Sequence, residues 1–261
     1  QVTAAKIEEM LLDSREDSLK NGRVKGILLV INSPGGSANE SNIIYRLLKQ
    51  YKERYDVPIY SYVNGFCASG GYYIACATDK ILANEVSLIG SVGVLGWPPY
   101  MNVSDALEKI GVNSKTVFAG KGKDEMNPFR AWKPDEGLSR QQIVDFYYST
   151  FVNIVTENRP NLPEEKLIND YGAEIYPAYL AKEYGYIDES NLLLSDALGL
   201  LATASGINED EKYQVITFKT KSWWKEAIKS QSESPLLTGK IKHVFSLPGS
   251  EDMSPQYIYV P

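Results

Sequence analysis

Two short glycine-rich segments, each following an apolar run, carry residue types that could do chemistry. The first is Asn32-Ser33-Pro34-Gly35-Gly36-Ser37. Two glycines between a strand and a helix leave backbone N–H groups free, which is how an anion or oxyanion site is built. The same glycines also suit a tight turn that needs only a positive φ. The segment has neither the GK[ST] of a P-loop nor the spacing of GxGxxG, so a nucleotide site is disfavoured.

The second segment surrounds Ser69, in Cys67-Ala68-Ser69-Gly70-Gly71. Small neighbours would let a substrate carbonyl approach the Ser69 hydroxyl, and the N–H of Gly70 could help to bind the oxyanion. The order resembles a nucleophile elbow, although GxSxG is not met. A serine that only caps the following helix fits the same pattern. Spacing alone leaves both interpretations open.

A serine nucleophile needs a base, and the chain has one histidine. His243 lies between Lys242 and Val244 in a polar stretch, which is typical of a surface histidine. A single histidine also excludes a multi-histidine metal site. Lysine is the remaining candidate, because desolvation can keep its amine neutral. Lys121 and Lys123, in Ala119-Gly120-Lys121-Gly122-Lys123-Asp124, follow a predicted strand, and either could turn inward.

Composition narrows the function classes. The chain of 261 residues is 43% hydrophobic with a net charge of -6, so it has no basic footprint for nucleic acid.

Cys67 and Cys76 have small apolar neighbours, which predicts buried free thiols rather than a disulfide. Residues 57–78 are uncharged but interrupted by polar residues, proline and glycine, so they indicate core rather than a membrane span. The chain begins with Gln1, and we expect that an N-terminal part, with any anchor, has been removed.

The elements that would position these residues alternate between strand and helix. This alternation predicts an α/β fold with a parallel sheet, whose sites lie beyond the carboxyl ends of the strands. Ser37 and Glu40 form a capping-box pattern that opens a helix to about Tyr51. The predicted strands are 26–31, 58–63, 80–83, 91–95 and 114–118. The predicted helices are 4–20, 68–77, 105–110, 138–158, 163–170 and 177–184.

We expect two parts in the chain. Residues 1–207 form the α/β domain. Residues 208–261 are a C-terminal extension that packs on the same domain or on a neighbouring subunit. The extension is predicted to contain a strand at 213–218, a helix at 223–228 and a terminal strand at 256–260.

Four motifs together resemble one known family. They are Asn32-Ser33-Pro34-Gly35-Gly36, Ala68-Ser69-Gly70-Gly71-Tyr72-Tyr73, Gly90-Ser91-Val92-Gly93-Val94 and Gly120-Lys121-Gly122-Lys123-Asp124. In order and spacing, across about residues 1–200, they are similar to the signal peptide peptidase A family. Its members are Ser/Lys serine peptidases with the ClpP/crotonase fold, a parallel β-sheet core with flanking helices.

The resemblance implies a role for five residues. Ser69 matches the nucleophile and Lys123 the general base, with the 119–128 register favouring Lys123 over Lys121. Gly36 matches an oxyanion donor, with Gly70 as its partner, and Ser91 matches a serine that orients the lysine amine.

The resemblance also implies partners. Substrates would be signal peptides or other apolar peptides, with no cofactor and no metal. Members of the family are often anchored in a membrane by an N-terminal helix and form oligomers that share active sites between subunits. Two alternatives remain: a crotonase-type acyl-CoA hydratase or isomerase, which would not need Ser69 or Lys123, and a non-catalytic homologue.

Overall fold

The computed structural model describes residues 2–96, 99–208 and 210–218, together with the backbone of 256–260. Seven strands belong to one sheet: β1 Gly26–Ser33, β2 Ile59–Ala68, β3 Lys80–Ala83, β4 Leu88–Gly90, β5 Ile175–Pro177, β6 Gln214–Phe218 and β7 Gln256–Val260. The helices are α1 Ala4–Asp13, α2 Ala38–Tyr55, α3 Gly70–Ala75, α4 Ser104–Lys109, α5 Leu138–Asn158, α6 Glu164–Lys166, α7 Ala178–Glu183 and α8 Leu194–Ala204.

Strand β2 is the centre of the sheet. It pairs in parallel with β1 along one side. On its other side the first half pairs with β3 and the second half with β4, both in parallel. The turns that follow β1, β2 and β4 therefore meet at one edge of the sheet, where an open parallel sheet places its functional site.

Helices cover both faces of this sheet, which explains why its central strands are continuous apolar runs. Successive side chains of a strand point to opposite faces. Ile27 and Ile59 pack with α1 and α2, whereas their neighbours Leu28 and Tyr60 pack against Leu201 of α8. A third buried cluster joins β2 and α3 to α5 and α7. The turn at Ser69 is thereby fixed between a packed strand and a packed helix.

The capping-box prediction at the start of α2 holds only in part. The Ser37 hydroxyl accepts a hydrogen bond from the Glu40 N–H at 3.5 Å. The Glu40 carboxylate does not return to Ser37; it accepts the Ala4 N–H at 2.6 Å. The second half of the box is therefore used to tie the start of α1 to α2.

The single helix predicted over 4–20 is interrupted: α1 ends at Asp13, and a short 3-10 helix at Asp17–Leu19 follows it. The buried Ser14 hydroxyl donates back to the Leu11 carbonyl oxygen at 2.6 Å and lies 2.8 Å from the Tyr51 hydroxyl. A serine bonded in this way gives the backbone an alternative to the next helical turn.

Two predicted strands are also wrong. Residues 91–95 and 114–118 pair with no strand among the described residues. The first begins at Ser91, whose φ of 54° turns the chain out of the β4 ladder. The second lies in an exposed segment that offers it no neighbouring strand. β-Branched and apolar residue types favour a strand but do not reveal whether a partner strand exists.

The sheet is mixed rather than wholly parallel. Strand β5 pairs antiparallel with β4 on one side. On the other side β7 pairs antiparallel with β1, and β6 pairs antiparallel with β7. The two strands predicted for the extension thus join the sheet of this chain, while the helix predicted at 223–228 lies outside the described residues.

Residues 99–137, called here the arm, leave the sheet and return to it through α5. No residue of the arm is buried. Its larger apolar side chains include several that are exposed, namely Met101, Ile110, Val112, Val117, Phe118 and Phe129. Among the described helices, none is long and apolar enough to cross a membrane.

Candidate active site

Ser69 occupies a sharp turn between β2 and α3. Its backbone has φ 50° and ψ -121°, a region that residues other than glycine rarely adopt. The Ser69 N–H donates to the Gly90 carbonyl oxygen of β4 at 3.0 Å, and its carbonyl oxygen accepts the Tyr73 N–H at 3.0 Å. Strain of this kind persists only where the surrounding structure enforces it, and it is concentrated at functional sites.

The Ser69 hydroxyl is not a helix cap. It makes no capping hydrogen bond to α3, and the side chain is half-buried. The interpretation of Ser69 as a serine whose hydroxyl caps the helix is therefore wrong. The geometry matches that of a nucleophile elbow, in which such a turn presents a serine at the end of a strand.

The first glycine turn lies directly against Ser69. Gly35 has φ +116°, and a Cβ placed on it would lie 2.8 Å from Ser69 Cβ and 3.2 Å from Ser69 Oγ. A Cβ on Gly70 would lie 3.2 Å from the Gly36 nitrogen. Both Gly36 and Gly70 therefore lie beside the serine, and neither of their N–H groups has an acceptor in the described part of the chain. Two unpaired N–H groups beside a free hydroxyl are what an oxyanion site requires.

Ser91 directly follows β4, the strand next to the turn at Ser69. Ala68 is paired with Gly90, so Ser69 and Ser91 each follow a matched position of β2 and β4. The Ser91 backbone also has a positive φ, 54°, and its N–H donates to the Glu174 carbonyl oxygen at 2.7 Å. The structure thus brings Ser69, Ser91 and the two glycines together at one edge of the sheet.

The two cysteines are free and buried, as the sequence predicts. Burial raises the pKa of the Cys76 thiol to about 12 and moves that of Cys67 well above its usual range. The thiolate is the reactive form of cysteine, so neither thiol is suited to be a nucleophile. Ser69 remains the candidate nucleophile of this segment.

The candidate lysines lie on the arm. Lys121 and Lys123 are both exposed, and within the chain no hydrogen bond or ion pair joins either one to Ser69 or Ser91. Within the described chain, the hydrogen bonds and ion pairs of residues 101–137 all end within 100–141. The chain therefore brings Ser69 and the two unpaired N–H groups together, and no hydrogen bond or ion pair joins Lys121 or Lys123 to them.

A charged cluster that the sequence analysis missed lies next to Lys123. Arg130 binds Asp124 at 2.6 Å and also pairs with Glu136. Asn127 Nδ2 donates to Asp124 Oδ1 at 2.6 Å. The signal in the sequence is an arginine placed six residues from an acidic residue on each side, but such spacing is common in exposed loops.

Among the described residues, no group of three or more histidine, cysteine, aspartate or glutamate side chains is placed to hold a metal ion. His243 lies outside the described residues.

Comparison with known proteins identifies the family. Residues 52–208 match the model of peptidase family S49, and residues 4–87 match that of the Clp protease family. A relative in Enterococcus faecium, named as a signal peptide peptidase SppA, is 38% identical over 64% of this chain. A relative in Methanocaldococcus jannaschii, named as a protease, is 34% identical over 77% of the chain. A chloroplastic serine protease SPPA of Arabidopsis thaliana is 27% identical over 84% of it.

The chain therefore belongs to peptidase family S49, the signal peptide peptidase A family, and its class is that of the serine-type peptidases. The ClpP-like α/β fold expected from the four motifs is confirmed. The chain spans 47% of the Enterococcus relative, 62% of the Methanocaldococcus relative and 32% of the Arabidopsis relative.

Proposed function

We propose that this protein is a serine endopeptidase in which Ser69 is the nucleophile and Lys123 is the general base. The observation that carries the proposal is the strained turn at Ser69, which leaves its hydroxyl uncapped beside two unpaired backbone N–H groups. The absence of a usable thiol around Ser69 and the family of the chain support the same chemistry.

The reaction follows from these groups. The neutral Lys123 amine takes the proton of Ser69 Oγ as the oxygen attacks the peptide carbonyl carbon. The N–H groups of Gly36 and Gly70 bind the oxyanion of the tetrahedral intermediate. Lys123 then gives the proton to the leaving amine, and the peptide C–N bond breaks. Water, deprotonated by the same amine, hydrolyses the acyl-enzyme and releases Ser69. Ser91 accepts or donates a hydrogen bond that orients the amine.

We propose further that the lysine comes from a neighbouring copy of the chain. Lys123 is exposed in the single chain and its amine has no ion pair there, whereas a lysine base needs a desolvated environment. The arm that carries it buries no residue in its own copy and exposes a row of apolar side chains. Oligomers that place this arm beside the next copy of Ser69 would satisfy both requirements.

Substrates of this site would be extended, apolar peptides, with cleaved signal peptides as the first class to test. A substrate of that kind is presented at a membrane, and we propose that the protein acts in association with one. No cofactor is needed, because serine, amine and backbone N–H groups supply every step.

Two variants and a matched control test the proposal. Ser69→Ala and Lys123→Ala should each abolish hydrolysis of a fluorogenic apolar peptide without unfolding the protein. Lys121→Ala, on the same exposed turn, should keep most of the activity. Full activity in Lys123→Ala together with its loss in Lys121→Ala would move the base to Lys121.

Covalent labelling separates the peptidase from its alternatives. A serine-directed acylating probe should modify the wild-type protein and leave Ser69→Ala unmodified. Turnover of an enoyl-CoA thioester that survives in Ser69→Ala would instead identify a crotonase-type enzyme. An assembled protein that neither reacts with the probe nor cleaves any peptide would be a non-catalytic homologue.

A further inference from the structure

We propose that Arg130 is a positioning residue for Lys123. Its guanidinium fixes the turn that carries the lysine, without touching the substrate itself. The inference rests on the function proposed above, because it concerns the lysine of that dyad.

The contacts of Arg130 are centred on the residue that directly follows Lys123. Nε donates to Asp124 Oδ2 at 2.6 Å, and Nη2 donates to the Asp124 carbonyl oxygen at 2.5 Å. Nη2 also binds Glu136, and Nη1 donates to the Ala131 carbonyl oxygen at 2.9 Å. One planar guanidinium therefore holds both the side chain and the backbone of Asp124. Lysine could not reproduce this arrangement, because its single ammonium lacks the rigid fork of donors.

Arg130 supplies the positive charge that pairs with two carboxylates of the turn, Asp124 and Glu136. The side chains of Asp124 and Glu136 are only 10% and 6% exposed, whereas that of Arg130 is 31% exposed. Hydrogen bonds from Arg130 lower the pKa of both carboxyls, which stay ionised. Without Arg130, these two carboxylates would lose the cation that they share, and the second oxygen of Glu136 already has no partner in the described structure. Two covered negative charges without a shared cation would destabilise the turn.

Polar contacts hold the turn in place, because the arm has no buried residue to anchor it in a hydrophobic core. Within the turn the Lys123 N–H donates to the Gly120 carbonyl oxygen at 3.3 Å, and the Glu125 N–H donates to that of Gly122 at 3.1 Å. Asn127 binds Asp124, and its carbonyl oxygen accepts a hydrogen bond from Trp132 Nε1 at 2.7 Å. Arg130 is the cation of this set, and it bonds both the side chain and the backbone of Asp124. Contacts of this kind can set the position of the neighbouring lysine, and a displacement of about 1 Å can cost on the order of 100-fold in rate.

The test compares Arg130→Ala and Asp124→Asn with Arg140→Ala, measured on the assembled protein with an apolar fluorogenic peptide. Arg140 is the matched control, since it lies on α5 and its Nη1 donates to the Tyr100 hydroxyl at 3.1 Å, apart from the cluster. We expect kcat to fall by about 10- to 100-fold in the first two variants, with KM changed by less than about 2-fold. Arg140→Ala should keep wild-type values.

Chemical rescue distinguishes positioning from a general loss of structure. Millimolar guanidinium ion should restore part of the kcat of Arg130→Ala and have no effect on Lys123→Ala. In the double variant Arg130→Ala/Asp124→Asn, the fall in kcat should be smaller than the product of the two single falls, because both substitutions remove the same contact.

Each outcome bears on one hypothesis. Wild-type kcat in Arg130→Ala, or a lower kcat that guanidinium does not restore, overturns the positioning role. Should Arg130→Ala fail to fold, wild-type kcat in Asp124→Asn would overturn it equally. Activity that persists in Lys123→Ala removes the base of the proposed dyad itself, whereas an inactive Lys123→Ala beside a fully active Arg130→Ala refutes only the role of Arg130.

Discussion

Ser69 has a backbone conformation that residues other than glycine rarely adopt, and its hydroxyl makes no hydrogen bond to a backbone group in the described chain. The strain is maintained by neighbours on both sides: the Ser69 N–H is bonded to Gly90 of β4, and Gly35 leaves room for the side chain. A serine held by its backbone rather than by its hydroxyl is free to react.

Gly35→Ala should damage this site more than the fold. The new Cβ would lie 2.8 Å from Ser69 Cβ, on a backbone with φ +116°. We expect peptidase activity to fall by at least about 10-fold and unfolding free energy to fall by about 1–3 kcal/mol. Gly22→Ala is the control, because Gly22 has φ +68° with nothing within 4 Å of the added carbon. It should cost about 1 kcal/mol of stability and leave kcat unchanged. Equal losses of activity in both variants would contradict the close approach of Gly35 to the serine.

The rate should rise with pH from mildly acidic to mildly alkaline conditions. A lysine base acts as the neutral amine, whose fraction increases with pH. Arg130 lowers the pKa of Asp124 and Glu136, so their ionised pairing is complete above the ordinary carboxyl range and is lost only as pH falls into the acid. The rise therefore cannot come from these carboxylates. The measurement is kcat/KM against pH, with circular dichroism at each point, and a flat profile would argue against a lysine base.

At the scale of elements, one ion pair fastens the end of α5 to the sheet. Arg159, directly after α5, is 5% exposed and donates to Asp188 Oδ2 at 2.7 Å and to the Gly185 carbonyl oxygen at 3.2 Å. The same Asp188 oxygen accepts the Ile81 N–H of β3 at 2.7 Å. One carboxylate thus joins the helix that follows the arm to the strand beside β2.

Two adjacent acidic residues test the strength of that junction. Asp188→Ala leaves the Arg159 guanidinium buried without its partner and should lower the free energy of unfolding by about 3 kcal/mol. Glu189→Ala removes an exposed pair with Lys182, whose two side chains are 44% and 46% exposed, and should cost less than about 1 kcal/mol. Urea denaturation of the two variants provides the comparison, and similar midpoints would refute the difference in burial.

The elements predicted correctly are those with a local physical signal. For β1 and β2 the signal is a continuous apolar run, and for α5 it is the length of 21 residues. For the turn at Ser69 it is the pair of glycines that follows the serine. The errors arise where contacts distant in sequence decide the outcome. The end of α1 depends on a bond between Ser14 and Tyr51, and a strand at 114–118 would need a partner that the fold does not provide.

The candidate site was predictable to a similar extent. Ser69, Gly36, Gly70 and Ser91 each follow a strand, so sequence order indicates their common edge. Arg130 could not be found in this way, because a charge in a loop has no periodicity that distinguishes a bidentate contact from a solvated side chain. Under the proposed arrangement, the relation of Lys123 to Ser69 depends on a neighbouring copy of the chain, which the sequence of one chain does not describe.

At the scale of the whole molecule, the protein has a packed α/β body and an arm that projects from it. Every residue of the buried core lies outside residues 93–150, as far as the described chain shows. The arm and the first half of α5 together expose apolar side chains that a monomer would normally cover, among them Leu138, Ile143 and Phe146. Surfaces of this kind are typical of protein interfaces.

Mixing two inactive variants tests whether copies share a site. Ser69→Ala retains the lysine and Lys123→Ala retains the serine, so hybrid oligomers should regain activity when the two are assembled together. With random assembly at equal amounts, about a quarter of the sites receive both groups, and activity should approach that fraction of wild type. Ser69→Ala mixed with the double variant Ser69→Ala/Lys123→Ala is the control and should stay inactive. No recovery in confirmed hybrids would show that serine and lysine belong to one copy.

Under the proposed arrangement, an arm that buries no residue in its own copy also makes activity depend on protein concentration. By mass action, the share of copies with an engaged neighbour falls as the protein is diluted. Under the proposed arrangement a newly made, solitary copy could not cut the peptides around it, and the enzyme would become competent only where enough copies accumulate. Specific activity should therefore decline when the protein is diluted and return when it is concentrated.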